Sequence, residues 1–467
     1  MKSIKSNKIF VGIFSMLLLI SCDDYLDIND DPNNPTDAPI SALMVNSTFE
    51  TAQNTFRMGT ITSNYVQHLA SPNPGSASDT MEPSNFSGTW AALYRAMTDL
   101  SDMISKAEET GANHYAGIGQ ILTALHLAMV VDAWGDVPYS EGLNFQTITP
   151  AYDDDEALYQ EIFSLLDRGI ANLTAPTTVS VGNDDFIYQG SSTKWIKFGN
   201  MLKARYLNHI STSSPAAILS AIDKGFVGNQ DDAQMKYFEE QLNPWFIIAR
   251  NNANLLLGGW ISEQFIEALD GTTFGVVDPR LPLLVGTTST GMFVGVENGA
   301  GRGNAPERGA RSTLIVGQFL TSPQSPVLIA TYAEQKFIEA EAAFTVNRTR
   351  SYAAYLEGIR AHMSKIGVPQ EQITTYISNP QVSVGEEALT LKLIFKEKWV
   401  ALFLHPEAWA DARRHDYQYE NFSLPANLNP DLNGQFIRRL AYPDSETSRN
   451  GSNVPNVTLL DRIFWDN

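Results

Sequence analysis

The stretch LKLIFKEKWVALFLHPEAWADARR, residues 391–414, decides the fold. From Leu391 to Leu404, ten of fourteen positions are apolar, and on a helical wheel they occupy nearly every side. A helix of this kind has to be surrounded by other helices, so the sequence predicts a mainly helical protein. The positions predicted to reach the surface are Lys392, Lys396, Glu397 and Lys398.

Pro406 predicts the end of this helix and the first turn of a second helix that runs to Arg414. In the second helix Trp409 and Arg413 are four residues apart, and Asp411 and Arg414 are three apart. Side chains meet at these spacings on a helix. We interpret the pattern as packing with internal charge pairing, which no reaction requires.

Net charge is the unusual feature of the composition. The 467 residues are 43% apolar and 10% aromatic, as in an ordinary globular protein, but the formal net charge is −20. Removing a leader that holds Lys2, Lys5 and Lys8 and no acid would leave −23. A surface this acidic repels nucleic acid and anionic lipid headgroups, so we expect neither as a partner.

The amino terminus predicts export and lipid anchoring. Its lysines precede a twelve-residue apolar core, Ile9 to Ile20, which is too short for an ordinary membrane span. Leu19-Ile20-Ser21-Cys22 then resembles a bacterial lipobox, and Cys22 is the one cysteine of the chain. We predict a signal peptide over residues 1–21 and acylation of Cys22, which would hold the protein on a membrane. The alternative is a chance cysteine after a plain signal peptide.

Residues 22–39, rich in Asp, Asn and Pro, predict an acidic flexible tether. Asp27, Asn29 and Asp31 alternate like the ligands of a calcium loop, but no Gly or terminal Glu follows at the required spacing. We therefore expect a solvated spacer and no cofactor, with a structural calcium ion left open.

Residues 40–467 are predicted to form a single helical domain. Apolar periodicity predicts helices over residues 40–70, 87–110, 114–134, 154–173, 193–211, 215–225, 261–270, 327–344, 351–367 and 386–404. Asp153 to Glu156 are interpreted as a helix cap, and Ser192 as the cap of the next helix.

Short turns between consecutive helices indicate antiparallel hairpins. Trp90-Ala-Ala-Leu93-Tyr94 and the segment after Tyr332 have the small and large alternation of tetratricopeptide repeats without the strict consensus. The predicted fold is therefore mainly α, with tetratricopeptide-like hairpins in a right-handed superhelical scaffold, few short strands and a loop-rich face. Irregular insertions are predicted at residues 71–85, 175–191, 229–259, 271–326 and 417–467, and residues 271–326 could hold a short hairpin.

No local catalytic signature is present. The sequence has no HExxH, no GxSxG and no Walker loop. His126 and His209 lie in apolar helices and are predicted to be core residues. The glycine-rich run from Gly299 to Gly303 lacks the strand and the lysine of a phosphate loop, which indicates a flexible loop.

Aromatic residues in one insertion suggest a sugar site. Tyr237, Trp245, Phe246 and Trp260 lie among four asparagines, Asn243, Asn251, Asn252 and Asn254. Aromatic rings stack on the apolar faces of sugars while amides bond their hydroxyls, so we predict that these four aromatics bind a neutral saccharide. The alternative is a small satellite core under a long loop.

Five ordered segments together resemble the SusD/RagB family of nutrient-binding outer-membrane lipoproteins, in particular its SusD-like branch. They are the lipobox with DDYLDIN, VDAWGDVPYSE from Val131, TYAE from Thr331 with Ala340-Glu341-Ala342, KEKWVALF from Lys396 with EAWADARR from Glu407, and RRLAYP from Arg438 with Glu446 and Asn450. The resemblance implies a helical surface lipoprotein that forms a lid on a SusC-like TonB-dependent transporter in the outer membrane. It also implies capture of oligosaccharides, or in some members peptides, and no catalysis.

We therefore expect a non-enzymatic binding protein that delivers glycans to its transporter. Three alternatives remain. One is a peptide-binding member of the same system, and another is a helical-repeat scaffold that binds only protein. The third is a lipid-anchored glycosidase, whose paired carboxylates would leave no local signature.

Overall fold

The structure, a computed structural model, describes residues 38–144, 146–210, 212–255, 258–303 and 308–466. Cys22 and the predicted tether lie outside the described residues. The division into a leader, a tether and one domain stays a prediction.

Sixteen α-helices, three short 3-10 helices and four short strands make up the regular structure of the described residues, which confirms the mainly helical fold. The first eight helices are α1 Ile40–Tyr65, α2 Ala77–Thr80, α3 Ser87–Thr110, α4 Asn113–Trp134, α5 Asp155–Thr174, α6 Ser192–His209, α7 Pro215–Ile222 and α8 Pro244–Leu255. The other eight are α9 Glu263–Leu269, α10 Leu281–Leu284, α11 Tyr332–Ala343, α12 Arg348–Ile366, α13 Gln370–Ile377, α14 Leu391–Ala401, α15 Glu407–Arg414 and α16 Asp444–Arg449. The strands are β1 Leu69–Ala70, β2 Ala233–Lys236, β3 Trp260–Ile261 and β4 Pro326–Ala330.

Consecutive helices pack side by side, α3 on α4, α4 on α5, α5 on α6 and α11 on α12. Only Gly111 and Ala112 join α3 to α4, and the φ of Gly111 is 71°, which glycine adopts without strain. So short a connection makes the two helices antiparallel, which is the predicted tetratricopeptide-like hairpin.

Two facing glycines let α4 and α5 approach closely. A Cβ on Gly117 would lie 2.7 Å from the carbonyl oxygen of Gly169, and a Cβ on Gly169 would lie 2.8 Å from that of Gly117. Any larger residue at either position would push the two helices apart.

Helix α4 lies at the centre of the core. Among the described helices it alone is long and apolar enough to cross a membrane, but 89% of that segment is buried inside the protein. It is therefore a core helix. His126 on α4 is fully buried and its Nδ1 lies 2.8 Å from the carbonyl oxygen of Leu122, which confirms a core histidine.

The end of the fold-deciding stretch is as predicted. Helix α15 begins after Pro406 and ends at Arg414. The Arg413 guanidinium carbon lies 3.8 Å from the ring centroid of Trp409, and Arg414 Nη1 lies 2.8 Å from Asp411 Oδ1.

The prediction that Lys396, Glu397 and Lys398 reach the surface is wrong, because these residues are only 4%, 1% and 2% exposed. From Ile394 onward helix α14 is covered on every side, so the charges of this part are paired inside the protein. Lys396 Nζ lies 2.7 Å from Glu397 Oε1, and Lys398 Nζ lies 2.6 Å from an oxygen of Asp411. Lys392, as predicted, is exposed.

The predicted helix over residues 327–344 is instead strand β4 followed by helix α11. Thr331 separates the two elements, and its hydroxyl accepts a hydrogen bond from Glu334 N at 3.1 Å. Strand β4 pairs antiparallel with β2, with Lys236 opposite Pro326 and Ala233 opposite Ala330. Strand β1 also pairs antiparallel, with β3.

Other boundaries differ by a few residues. The first helix ends at Tyr65 and not at residue 70. Asp154 caps α5 through a bond from Ala157 N at 3.0 Å, as predicted, whereas the cap of α6 is Ser191 and not Ser192. Within the predicted irregular insertions the structure adds helices α2, α8, α10 and α16.

Segments far apart in the chain join the first hairpins to the carboxyl-terminal part. The Trp134 indole donates to the carbonyl oxygen of Ala441 at 3.0 Å, across 307 residues. The Arg439 guanidinium donates to the carbonyl oxygen of Trp134. A Cβ on Gly135, where φ is 76°, would lie 3.1 Å from that guanidinium.

Candidate functional site

Three loops from distant parts of the chain meet in one surface, which we call the loop face: residues 71–76, 288–303 and 423–429. Arg302 N donates to the carbonyl oxygen of Pro72 at 3.0 Å, and Ala426 N donates to that of Asn298 at 2.9 Å. These backbone bonds fix the loops relative to one another.

Asp79, which is 1% exposed, holds the loop face from beneath. Its Oδ1 accepts from the amides of Asn64 at 2.7 Å and Asn298 at 3.3 Å. Its Oδ2 accepts from Ser71 N at 2.8 Å and Gly299 N at 3.0 Å. Burial raises the pKa of the Asp79 carboxyl, while these four donors oppose that shift.

The glycine-rich run is packed into the loop face, which corrects the expectation of a flexible loop. Gly299 and Gly301 have φ values of 82° and 70°. A Cβ on Gly299 would lie 1.8 Å from the carbonyl oxygen of Ala426, and one on Gly301 would lie 2.6 Å from Pro74 N. These glycines allow three backbones to approach closely.

Apolar side chains are exposed on this face. Met292 is 61% exposed, Val294 is 36% exposed and Leu424 is 41% exposed, while Phe293 is half-buried. Sequence reasoning missed this strip, although the run from Met292 to Val294 within a polar, glycine-rich loop was a signal that could have found it.

Trp260 lies under the loop face. It is 1% exposed and packs with Ala70 and Val296 in a small cluster. Its indole Nε1 is closed from solvent and has no hydrogen-bond partner in the described part of the chain. In this position the ring supports the loops from below.

Two other predicted aromatics, Tyr237 and Trp245, pack against different points along α1. The ring centroid of Tyr237 lies 6.3 Å from that of Phe49, and the centroid of Trp245 lies 4.8 Å from that of Phe56. The seven residues between Phe49 and Phe56 correspond to about 10 Å of helix. The structure therefore does not bring the four predicted aromatics to a single point.

Only Phe246 of the four is accessible without rearrangement. Trp245 and Tyr237 are 5% and 3% exposed, whereas Phe246 is half-buried on α8, with the Arg250 guanidinium carbon 5.3 Å from its ring centroid. Ligand binding by the four residues stays a prediction.

Both polar atoms of the Asn243 side chain form hydrogen bonds within the protein. Its Oδ1 accepts from Phe246 N at 2.9 Å, which caps α8, and its Nδ2 donates to the carbonyl oxygen of Ser325 at 3.0 Å. Asn251 accepts from Arg250 Nε at 3.2 Å near the surface.

Buried ionic groups connect the helices but do not face a site. His209 lies between Tyr159, at 2.9 Å from its hydroxyl, and Glu407, with which it is hydrogen-bonded. Burial opposes ionisation of Glu407, yet His209 and Arg205 beside it hold the pKa of its carboxyl well below the usual range. Because these groups are closed from solvent, we interpret them as structural, as predicted for His209.

Two clusters have the composition of metal ligands, Asp136 with Asp154 and Asp155, and Glu341 with Asp411 and His415. In the first cluster Asp154 and Asp136 accept hydrogen bonds from Ala157 N and Asp155 N at the start of α5. In the second cluster, Arg414 and Lys398 pair with the carboxylates. These partners account for the acids, and calcium binding stays a prediction.

Residues 32–443 match the model of a SusD-like family described as starch-binding associating with outer membrane. The chain belongs to this family. SusD-like proteins are binding proteins, and the described association with the outer membrane applies to the family as a whole.

Solved structures of SusD homologues share the fold. A SusD homologue from Bacteroides uniformis is 23% identical, with a TM-score of 0.76 over 92% of this chain and 100% of that one. A chitin-binding SusD homologue from Flavobacterium johnsoniae is 20% identical, with a TM-score of 0.75 over 91% and 98%. A SusD/RagB protein from Bacteroides thetaiotaomicron is 21% identical, with a TM-score of 0.73 over 92% and 99%. No curated protein matches the chain.

The segments within the described residues that resembled the SusD-like family are structural in this chain. Trp134 and Arg439 join two of them, and Glu334 and Glu407 are both paired with Arg205 inside the helical frame. They therefore identify the SusD-like fold and leave the ligand undetermined.

Proposed function

We propose that this SusD-like protein is a cell-surface lipoprotein, anchored through Cys22, that binds nutrient oligosaccharides and delivers them to a SusC-like TonB-dependent transporter. Family membership supports the glycan ligand and the outer membrane. The leader and lipobox support the anchor.

The observation that carries the proposal is the loop face, because its three loops are tied to one another and to Asp79. A surface that is ordered before binding loses little conformational entropy when a ligand arrives, and such a surface favours capture without chemistry. Its exposed Met292 and Val294 provide apolar contact for the CH faces of a sugar.

Of the predicted aromatics, Trp260 lies beneath this surface, while Tyr237 and Trp245 pack against α1. We propose stacking of the sugar on Phe246, with Trp245, Trp260 and Tyr237 as the further predicted ligand residues, and release when the lid closes on its transporter. Only the Phe246 ring can be reached in the structure as described.

The test is calorimetric titration of the full-length chain, purified in detergent, with a panel of neutral glycans. The panel includes maltooligosaccharides, because of the family description, and chitin oligosaccharides, because one homologue binds chitin. We expect weaker binding in Phe246→Ala and unchanged binding in Val346→Ala, a control whose side chain is 60% exposed elsewhere.

Trp245→Ala and Trp260→Ala complete the series, with unfolding measured in parallel. Removing a buried tryptophan costs about 3–5 kcal/mol of stability, so weaker binding counts only where the variant is folded at the assay temperature. Undiminished binding in all three aromatic variants removes these residues from the site.

Three further measurements address the anchor, the partner and the rival functions. Cys22→Ser should leave the membrane fraction, and the wild type should co-purify with a large β-barrel transporter. Binding of peptides without any glycan would favour a peptide-capturing protein, and product release from any glycan would favour a glycosidase.

A further inference from the structure

A second surface is a cleft that none of the four predicted aromatics lines. It is an open cleft of about 460 Å³ between the loop of residues 182–190 and strand β2 with the residues that follow it. We call it the β2 cleft.

The pleat of β2 decides which side chains face this cleft. Gln234, Lys236 and Phe238 line it, while Met235 and Tyr237, between them in sequence, are buried on the opposite side. The Tyr237 side chain therefore points away from the β2 cleft. Its neighbour Phe238 faces the cleft and is 41% exposed.

An aromatic pair forms one part of the cleft wall. The ring centroids of Phe186 and Phe238 are 6.3 Å apart at an interplanar angle of 69°. Asp185 fixes the loop that carries Phe186, since its carboxylate accepts from Ile187 N, Tyr188 N, Gly190 N and Trp195 Nε1. The wall is therefore held in place before any ligand binds.

Hydrogen-bonding groups line the cleft without protein partners. Among the described residues, the side chains of Asn183, Gln189, Gln230 and Gln234 form no hydrogen bond, although all four line the cleft. Gln234 is half-buried and its Oε1 is closed from solvent, so an unpaired amide here costs stability that a hydroxyl-rich ligand would recover.

The cleft is lined by two aspartates and two lysines, in a strongly acidic protein. Its two carboxylates are occupied, Asp185 by the four donors above and Asp232 by Lys365 Nζ at 2.7 Å and Tyr332 N at 2.6 Å. Lys194 and Lys236 line the cleft and form no ion pair with any described residue. Against a net charge of −20, two unpaired cations in one cleft favour an anionic ligand.

We propose that the β2 cleft is a second glycan site that takes an acidic oligosaccharide, with uronate carboxylates on Lys194 and Lys236, amides on the hydroxyls and the Phe186–Phe238 pair against the sugar faces. The proposal rests on the proposed function in that the ligand is a glycan, but it concerns a different surface and a different ligand charge.

The test is titration of the full-length chain with an oligogalacturonate and, separately, with the neutral glycan that binds best in the panel above. The key variants are the double substitution Lys194→Gln with Lys236→Gln, and Phe238→Ala. Lys224→Gln is the matched control, since Lys224 is exposed, has no partner among the described residues and does not line the cleft.

We expect the double variant to bind oligogalacturonate about tenfold more weakly or worse, Phe238→Ala to bind it more weakly, and Lys224→Gln to bind it as the wild type does. Neutral-glycan binding should be unchanged in all three. Oligogalacturonate binding that is absent from the wild type, or equal in all variants, overturns the second site. A wild-type chain that binds no neutral glycan would instead contradict the proposed function.

Discussion

Arg205 and Glu334 form a two-point ion pair in the middle of the helical frame, with Nε–Oε1 and Nη2–Oε2 distances that are both 2.7 Å. Their side chains are 3% and 1% exposed. The pair joins α6 to the first turn of α11, and Glu407 of α15 lies 3.7 Å from the same guanidinium.

Glu334→Ala should lower the free energy of unfolding by about 3–5 kcal/mol, because it leaves a buried guanidinium without its main partner. The control is Glu161→Ala, which breaks the more exposed pair with Arg168 and should cost less than about 1 kcal/mol. Urea unfolding measures both, and equal losses would show that the buried pair contributes no more than a surface one.

Gly169→Ala should also destabilise the protein. Alanine favours helix by about 1 kcal/mol over glycine, but its methyl group would lie 2.8 Å from a carbonyl oxygen of α4, and overpacking of this kind costs about 1–3 kcal/mol. Gly88→Ala on α3 is the matched control, since nothing lies within 4 Å of its added methyl group. Thermal unfolding should show a lower midpoint for the first variant only.

Asp79→Asn should loosen the loop face. The substitution turns one acceptor oxygen into a donor that faces the donors of the surrounding loops, so Ser71 N or Gly299 N loses its partner. Hydrogen exchange at the backbone of residues 71–76 and 297–303 should become faster. Asp167→Asn, at an exposed carboxylate, should leave that exchange unchanged.

Buried histidines should contribute a loss of stability below neutral pH. Burial lowers the pKa of His126 from 6.5 to about 4, and that of His68 to about 3. Between those values and 6.5 the unfolded chain binds protons that the folded chain does not, so the free energy of unfolding falls as the pH falls. Each such histidine contributes up to about 1.4 kcal/mol per pH unit.

His126→Gln isolates this effect, because glutamine does not titrate. Between pH 7 and pH 5 the loss of unfolding free energy should be about 1–2 kcal/mol smaller than in the wild type. Carboxyls whose folded pKa is lowered, such as Glu341, lose their contribution only below about 4.5 and do not act in this range. An identical loss in the variant would contradict a neutral buried His126.

Helix positions were predictable because the spacing of apolar residues along the sequence shows which face of a helix is buried. Helix α3 was predicted with its observed ends, α4 differs from prediction by one residue at its start, and α5 differs by one residue at each end. The same reasoning failed at Lys396, Glu397 and Lys398. Inside the fold Glu397 pairs with Arg280 and Lys398 pairs with Asp411, and the sequence does not show that these partners are near. It also failed at β4, although Thr331 and Glu334 already had the spacing of a helix cap.

The candidate site was less predictable, because it depends on contacts between distant loops. Tyr237 and Phe238 are adjacent aromatics, and only the pleat of β2 shows that one is buried while the other faces a cleft. The alternation of Gln234, Lys236 and Phe238 was visible in the sequence. Asp79 had no local signal, since its four donors come from segments up to 220 residues away.

The bonds between Trp134, Ala441 and Arg439 have a consequence for biosynthesis. Trp465 also donates to Asp132 at 2.9 Å, across 333 residues, so the first helical hairpins lack these partners until residues 438–466 have been made. The surface that those residues cover therefore stays open until the end of synthesis, and it is a site where the incomplete chain can aggregate.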